Sequence, residues 1–399
     1  MNAINSKPLT RHKAIVVELG VNGLGVVRGL AHQGVEVIGV YTMEAPGCHS
    51  RLCRPIRFPS IRGREEDFLR QFLTLCGEQE LPPVLFPTSD ESVAFVHRHR
   101  DLLAVCALFT IPDRELFDQA LNKDGNRDLA LACSIPIPET FTPKDHVELI
   151  AMAERTRYPV LFKPNDAFSV MLPDNAKNIT FPDRTSLVAF FTANPGYIDK
   201  GVFQEIIFGG DGYIFICAAY FNGASQPLSL YTGRKVRQHL PDYGVTCYGE
   251  SVYRPDIAEL TCSFMKKIGF KGLVAVEYVQ ERTTGTIYFL EMNLRSYYHN
   301  SLFLSCGINL PFTNYLDVTG QTEFIPVPPV RQRERVRWID FQRDLGSFWR
   351  KNRTGELGWG AWLNDVVRAR SFGVYDPRDR GPFWYNLRQL VGVIFRRSF

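Results

Sequence analysis

Gly272-Leu273-Val274-Ala275-Val276-Glu277-Tyr278-Val279-Gln280-Glu281-Arg282-Thr283-Thr284-Gly285-Thr286-Ile287-Tyr288-Phe289-Leu290-Glu291-Met292-Asn293-Leu294-Arg295 is two apolar runs joined by a polar turn. The first run, Leu273 to Val279, carries one carboxylate, Glu277. The second, Ile287 to Asn293, is apolar until it presents Glu291 and Asn293. Between them, Glu281 to Gly285 has the composition of a hairpin turn. A hairpin centred on Thr284 sets Glu277 across the ladder from Glu291, and strand alternation puts Glu291 and Asn293 on one face. Opposed like charges repel, and buried carboxylates demand a partner. Magnesium, or alternatively manganese, is a cation that takes such oxygen ligands together with substrate phosphates. On these residues alone, a hairpin with solvent-facing acids is the competing reading.

Upstream, Lys123 opens a helical segment through Ala132, and Lys163 ends the apolar strand Tyr158-Pro159-Val160-Leu161-Phe162-Lys163. Val202 to Phe208 is a strand running into Gly209-Gly210-Asp211. Taken in order with Glu277, Glu291 and Asn293, this set resembles the ATP-grasp superfamily from Leu121 to Thr319. The resemblance implies an α/β plus α+β architecture. A Rossmann-like N-terminal domain would span 1–120, a two-lobed ATP-grasp domain 121–325, and a mainly helical, basic extension 326–399. It further implies that Lys123 and Lys163 contact the phosphates of ATP. Glu205 and the Ile207 backbone would face adenine, Asp211 would meet the ribose, and Glu277, Glu291 and Asn293 would hold magnesium. Read on residues alone, Asp211 is equally an ordinary turn acid.

Within that superfamily, Gly233-Arg234-Lys235 and the tail look most like carboxylate–amine ligases, a group that includes D-aspartate ligase. The expected substrates are a small-molecule carboxylate and an amine. ATP would phosphorylate the carboxylate, and the amine would displace phosphate from the acyl phosphate. Arg295 and Lys235 are the candidate catalytic cations, Arg295 for the migrating phosphoryl group or a carboxylate. Alternation places Lys235 and Arg237 on one face; a charged edge strand is the competing reading of Arg234 to Arg237. One departure stands out. Asn165 to Asn178, where relatives carry a glycine-rich phosphate loop, contains no glycine, although Ser169, Lys177 and Asn178 could donate hydrogen bonds. A nucleotide-binding protein without catalysis is therefore a rival reading.

The chain opens with a βαβ pattern: Ala14 to Leu19, the turn Gly20-Val21-Asn22-Gly23-Leu24-Gly25, a helix, and Val35 to Val40. Such a turn can bind anions or a dinucleotide. The second strand runs into Tyr41-Thr42-Met43 with Glu44 only later, which places the ribose-binding acid poorly for a nicotinamide oxidoreductase. Val84 to Pro87 ends in Thr88-Ser89-Asp90-Glu91, where Ser89 or Asp90 would cap a helix from Ser92 to His99, and Asp90 or Glu91 could hold a substrate amine. His97 and His99 read as surface residues of that helix.

The 399 residues carry a net charge of +4, and the 9 cysteines show no paired spacing. That excludes a zinc-finger pattern and fits a reducing, cytoplasmic setting. No run reaches bilayer-spanning length. From Arg331 onward, fifteen Lys or Arg stand against seven Asp or Glu, and all 5 tryptophans lie there. Asp340 to Trp349 and Gly360 to Phe372 read as helices. Pro382 to Phe399 has apolar residues at helical spacing beside arginines. Such a helix packs on the protein itself or lies peripherally on an anionic membrane. Interleaved acids and the lack of a recognisable module argue against nucleic acid.

Overall fold

The computed structural model describes residues 10–121, 123–164, 172–173, 178–207, 209–239 and 244–397, with the side chains of Lys123 and residues 392–397 excepted. Among these residues the strands form three sheets. The first is parallel, β3-β2-β1-β4, built from β1 (Ala14–Val17), β2 (Val37–Tyr41), β3 (Arg54–Arg57) and β4 (Val84–Pro87). The second comprises β5 (Thr140–Phe141), β6 (Val160–Pro164), β7 (Ile179–Phe181) and β8 (Gly201–Glu205) in the antiparallel order β5-β8-β6-β7.

The third sheet has seven strands in the order β13-β12-β9-β10-β11-β14-β15. Its members are β9 (Ile214–Phe221), β10 (Pro227–His239), β11 (Val245–Ser251), β12 (Gly272–Gln280), β13 (Ile287–Asn293), β14 (Arg337–Ile339) and β15 (Ser371–Phe372). β9 contains no charged residue and is buried throughout, as a strand covered on both faces must be. Its alternate residues feed two cores. Phe215, Cys217, Ala219 and Phe221 join the one containing Ile15, Val17 and Phe68; Ile216, Ala218 and Tyr220 join the one containing Ala14, Val16, Leu302 and Tyr315. Both cores thus run through the first and third sheets. The second sheet has its own core of Leu149, Phe162, Leu187, Phe191 and Phe203.

Several sequence expectations change with the structure. The segment beyond 326 is woven into the third sheet: β14 pairs with β11, β15 pairs with β14, and Trp338 is fully buried. Short strands of two and three residues leave too little periodicity to be read in advance. The expected helix from Gly360 to Phe372 is accordingly Trp359–Arg368 followed by β15. β10 lies between β9 and β11, so Arg234 to Arg237 is not an edge strand.

His97 and His99 are not surface residues. His97 is 5% exposed, stacked on Phe117 and bonded to Asp118, while His99 is half-buried against Glu65. The helix carrying His97, Asp90–Arg98, begins earlier than expected and ends at His99 as its C-cap, and Ser89 caps its start with Ser92 in a reciprocal capping box.

Candidate active site

The register of β12 with β13 sets Glu277 opposite Glu291 and Ala275 opposite Asn293. The hairpin is not symmetric throughout. Leu290 bulges, so Tyr278 faces Phe289 and Val279 faces Tyr288. The two carboxylates differ sharply. Glu277 is 5% exposed, whereas Glu291 is exposed at the sheet edge. Lys235 Nζ donates to Glu277 Oε2 at 2.6 Å and the Tyr297 hydroxyl donates to Oε1. Lys235 reaches this acid across β9, since it pairs with Ile214 while Glu277 pairs with Ile216. Burial pushes the Glu277 carboxyl up; Lys235 opposes that, and Glu291 adds to it.

Arg295 follows the hairpin. Its Nε and Nη2 donate to both oxygens of Asp90 at 2.6 and 3.3 Å, and Nη2 also donates to Asn293 Oδ1 at 3.2 Å. Asn293 Nδ2 in turn donates to Glu291 at 3.4 Å. Burial works against the Arg295 charge, but Asp90 outweighs it and the guanidinium is held above its ordinary range. Thus Glu277, Glu291, Asn293, Arg295 and Lys235 come together in the structure. Arg234 and Arg237 do not join them. Arg234 pairs with Glu250; a bulge at Val236 leaves Arg237 on Asp344 and Asp365.

Among the described residues no group of three or more His, Cys, Asp or Glu forms a metal cage. The donor set of two carboxylates and one amide nonetheless suits magnesium, which keeps water and phosphate oxygens in the rest of its shell. Glu277 already has a cation at its oxygen, the Lys235 ammonium.

Of the residues expected at the nucleotide, Lys163 and Glu205 belong to the second sheet, and Ile207 and Asp211 follow in the segment leading to β9. Lys163, in β6, donates to Gln204 of β8 at 2.7 Å. Glu205 ends β8, 3.8 Å from the Arg157 guanidinium. Ile207 is buried in a small apolar group with Ile214 and Val279, bordered by Tyr288 and Leu290. Gly209 must be glycine, because a Cβ there would lie 2.7 Å from Val279 Cγ2. Asp211 is held by Lys351 at 2.9 Å, from the helix Phe341–Arg353. Lys123 does begin a helix, but its side chain lies outside the described residues. So do 165–171 and 174–177, most of the glycine-free stretch with Ser169 and Lys177.

A cleft of about 1650 Å³ opens at the carboxyl ends of the first sheet, lined by Glu18, Thr42, Thr88, Asp90, Arg62 and Tyr298 among others. Asp90 joins it to Arg295. Asn22 strengthens the join: its amide donates to Thr88 O and Ser296 O, and Ser296 Oγ donates back to Asn22. The N-terminal glycines serve packing. A Cβ on Gly25 would lie 2.5 Å from Asn300 Cβ, and one on Gly29 would lie 2.9 Å from Asn309 Oδ1. Sequence reasoning missed Tyr297, Gln204, Lys351, the Asn22–Ser296 tie and His299. His299 is 2% exposed, and burial followed by Lys235 pushes it down to about 3. Only the adjacency of Ser296-Tyr297-Tyr298-His299 to Arg295 marked that stretch in the sequence.

The helix Gly381–Arg397 stacks Tyr385 on His49 and sets Phe383 against Tyr375, while Trp384, Leu387 and Val391 remain exposed. Among the described residues no helix is long and apolar enough to cross a membrane.

No family model matches the chain. A curated relative is the mitochondrial methylcrotonoyl-CoA carboxylase subunit alpha of Oryza sativa subsp. japonica, 24% identical over 186 residues. The match covers 44% of this chain and 24% of that protein, so the chain spans about a quarter of the relative's length. Solved structures are similar over more of the chain. The biotin carboxylase domain of Hydrogenobacter thermophilus 2-oxoglutarate carboxylase, in complex with MgADP, ADP and bicarbonate, superposes with a TM-score of 0.61 at 15% identity, covering 82% of this chain and 74% of that one. N5-carboxyaminoimidazole synthetase of Staphylococcus aureus, complexed with ADP, gives 0.60 at 13%, covering 82% and 81%. L-amino acid ligase of Bacillus licheniformis gives 0.58 at 14%, covering 80% and 78%. At these identities the likeness establishes the fold.

Proposed function

We propose that this chain, whose fold is that of the ATP-grasp enzymes, is an ATP-dependent, ADP-forming carboxylate–amine ligase. A carboxylate resists an amine because oxide is a poor leaving group. Transfer of the γ-phosphoryl group makes an acyl phosphate and ADP; amine attack then forms the amide and releases phosphate. Such catalysis is mainly positioning and charge neutralisation. Lys163 and Lys123 would hold phosphates, the apolar bed of Ile207, Ile214 and Val279 would take adenine beside Glu205, and Asp211 would meet the ribose. Glu277, Glu291 and Asn293 would hold magnesium, which when bound neutralises phosphate charge during transfer. Arg295, oriented by Asp90, would steady the migrating phosphoryl group or the substrate carboxylate. Lys235 pairs with Glu277 inside the sheet and opposes the upward push of burial on its carboxyl.

The observation that carries this reading is the opposition of Glu277 and Glu291 beside Arg295 and Lys235, with Arg295 held by Asp90 of the cleft wall. A narrower reading, a D-aspartate ligase acting on a peptidoglycan precursor, rests on the likeness of Gly233-Arg234-Lys235 and the tail to that group. The rival reading, nucleotide binding without catalysis, rests on a glycine-free loop outside the described residues. Phosphate release from ATP and magnesium across a panel of amino acids and amines tests the proposal. Release that needs both a carboxylate and an amine supports it. Nucleotide binding with no release on any pair removes it.

A further inference from the structure

Glu18 closes β1 in a backbone conformation that L residues avoid, with φ of 72°. Its neighbours hold it there. The Thr88 hydroxyl donates to the Glu18 carbonyl at 2.7 Å, and a Cβ on Gly23 would lie 2.0 Å from that same oxygen. Thr88 also accepts from Asn22, which is tied to Ser296 between Arg295 and Tyr297. Glu18 lines the large cleft, and its backbone is joined through Thr88 and Asn22 to the segment that follows β13, the strand of Glu291 and Asn293.

The other half-buried or buried carboxylates of that wall have cationic partners. Asp67 pairs with Arg64 and Arg70, Glu65 with Arg98, Glu91 with Arg62, and Asp340 with Arg343. Asp90, more exposed, is spent on Arg295. Glu18 makes no ion pair among the described residues; its partners are neutral, the Thr42 hydroxyl donating to Oε1 at 2.7 Å and the Thr42 backbone N–H. Burial raises its carboxyl above the ordinary range, and the Glu91 charge adds to this. A half-buried carboxylate in a solvent-connected cleft, bonded by neutral donors and by no cation among the described residues, is a receptor for a positive hydrogen-bond donor.

We infer that Glu18 anchors the ammonium group of a primary-amine substrate in this cleft. The amine-holding role expected of Asp90 or Glu91 from the sequence moves to Glu18, because both of those are already paired. The role of that amine as the ligase acceptor rests on the proposed function; its binding does not.

The test is calorimetric titration of the full chain, holding MgADP, with the standard amino acids and short alkyl diamines. At least one of these amines should bind the wild-type chain. Glu18→Gln, which can still accept from Thr42, should weaken that amine roughly tenfold or more, as loss of a charge-assisted hydrogen bond does, with MgADP affinity unchanged. Glu18→Gly suits the positive φ and keeps the test open if the glutamine variant fails to fold; it should lose the amine equally. Unchanged amine affinity in either folded variant, or no amine bound by the wild-type chain, overturns the inference. Amine binding lost with Glu18 in a chain that releases no phosphate keeps this inference and removes the ligase.

Discussion

Glu277 and Glu291 face each other across one rung of an antiparallel ladder, yet one is buried under Lys235 and Tyr297 while the other is exposed at the sheet edge. A pair so placed separates stability from chemistry. Glu291→Gln changes an exposed group and should alter folding stability by no more than about 0.5 kcal/mol. It should nonetheless abolish ATP-dependent phosphate release. Urea unfolding beside a phosphate assay checks both halves, and retained release refutes a metal role for Glu291.

Lys235 poses the opposite case. Its side chain and that of Glu277 are 7% and 6% exposed, so removing the ammonium strands a charge in the interior. Lys235→Met should cost on the order of 3 kcal/mol or more, the usual result of breaking a buried pair. The double change Lys235→Met with Glu277→Leu should recover a large part of that loss. Equal stability of the single variant and the wild-type chain would mean that solvent or another cation reaches Glu277.

Arg295 grips Asp90 through two nitrogens, a geometry that lysine cannot reproduce. Arg295→Lys should therefore lower kcat strongly while ATP affinity changes little. Asp90→Asn, which keeps one acceptor oxygen, should have a smaller effect. A reversed order, with Asp90→Asn more damaging, would assign the direct role to Asp90.

The hairpin and its paired acids were legible because two apolar runs and a glycine turn leave few registers open. The Leu290 bulge was not, since a one-residue irregularity does not alter composition. Nor was the Lys235–Glu277 contact, which spans β10 and β12 with β9 between them; that depends on strand order rather than on spacing. Arg237 shows the same limit. Alternation put it with Lys235, but the bulge at Val236 and the helices carrying Asp344 and Asp365 take it elsewhere. Cationic residues were recognisable as a group, while their partners came from distant segments. Glu18 was missed because it looked like one more strand-end acid, and its isolation from arginines exists only in three dimensions.

His299 supplies a pH test of the buried site. Its ring is 2% exposed, between Tyr297, Tyr298 and Trp338, with Nε2 unpartnered. Burial, then the Lys235 charge, lower its folded value from 6.5 to about 3. The folded chain thus keeps the ring neutral where the unfolded chain binds a proton. Unfolding free energy rises with pH wherever the unfolded state holds more protons. This residue's contribution is fully present above about pH 6.5 and declines as pH falls from there toward 3. The slope is about 1.4 kcal/mol per pH unit inside that window. His299→Gln removes the titration while retaining a polar side chain, so between pH 6 and pH 4 its stability should fall less steeply than that of the wild-type chain. Parallel profiles for the two would mean that the folded state holds a protonated His299 and would refute the lowered value.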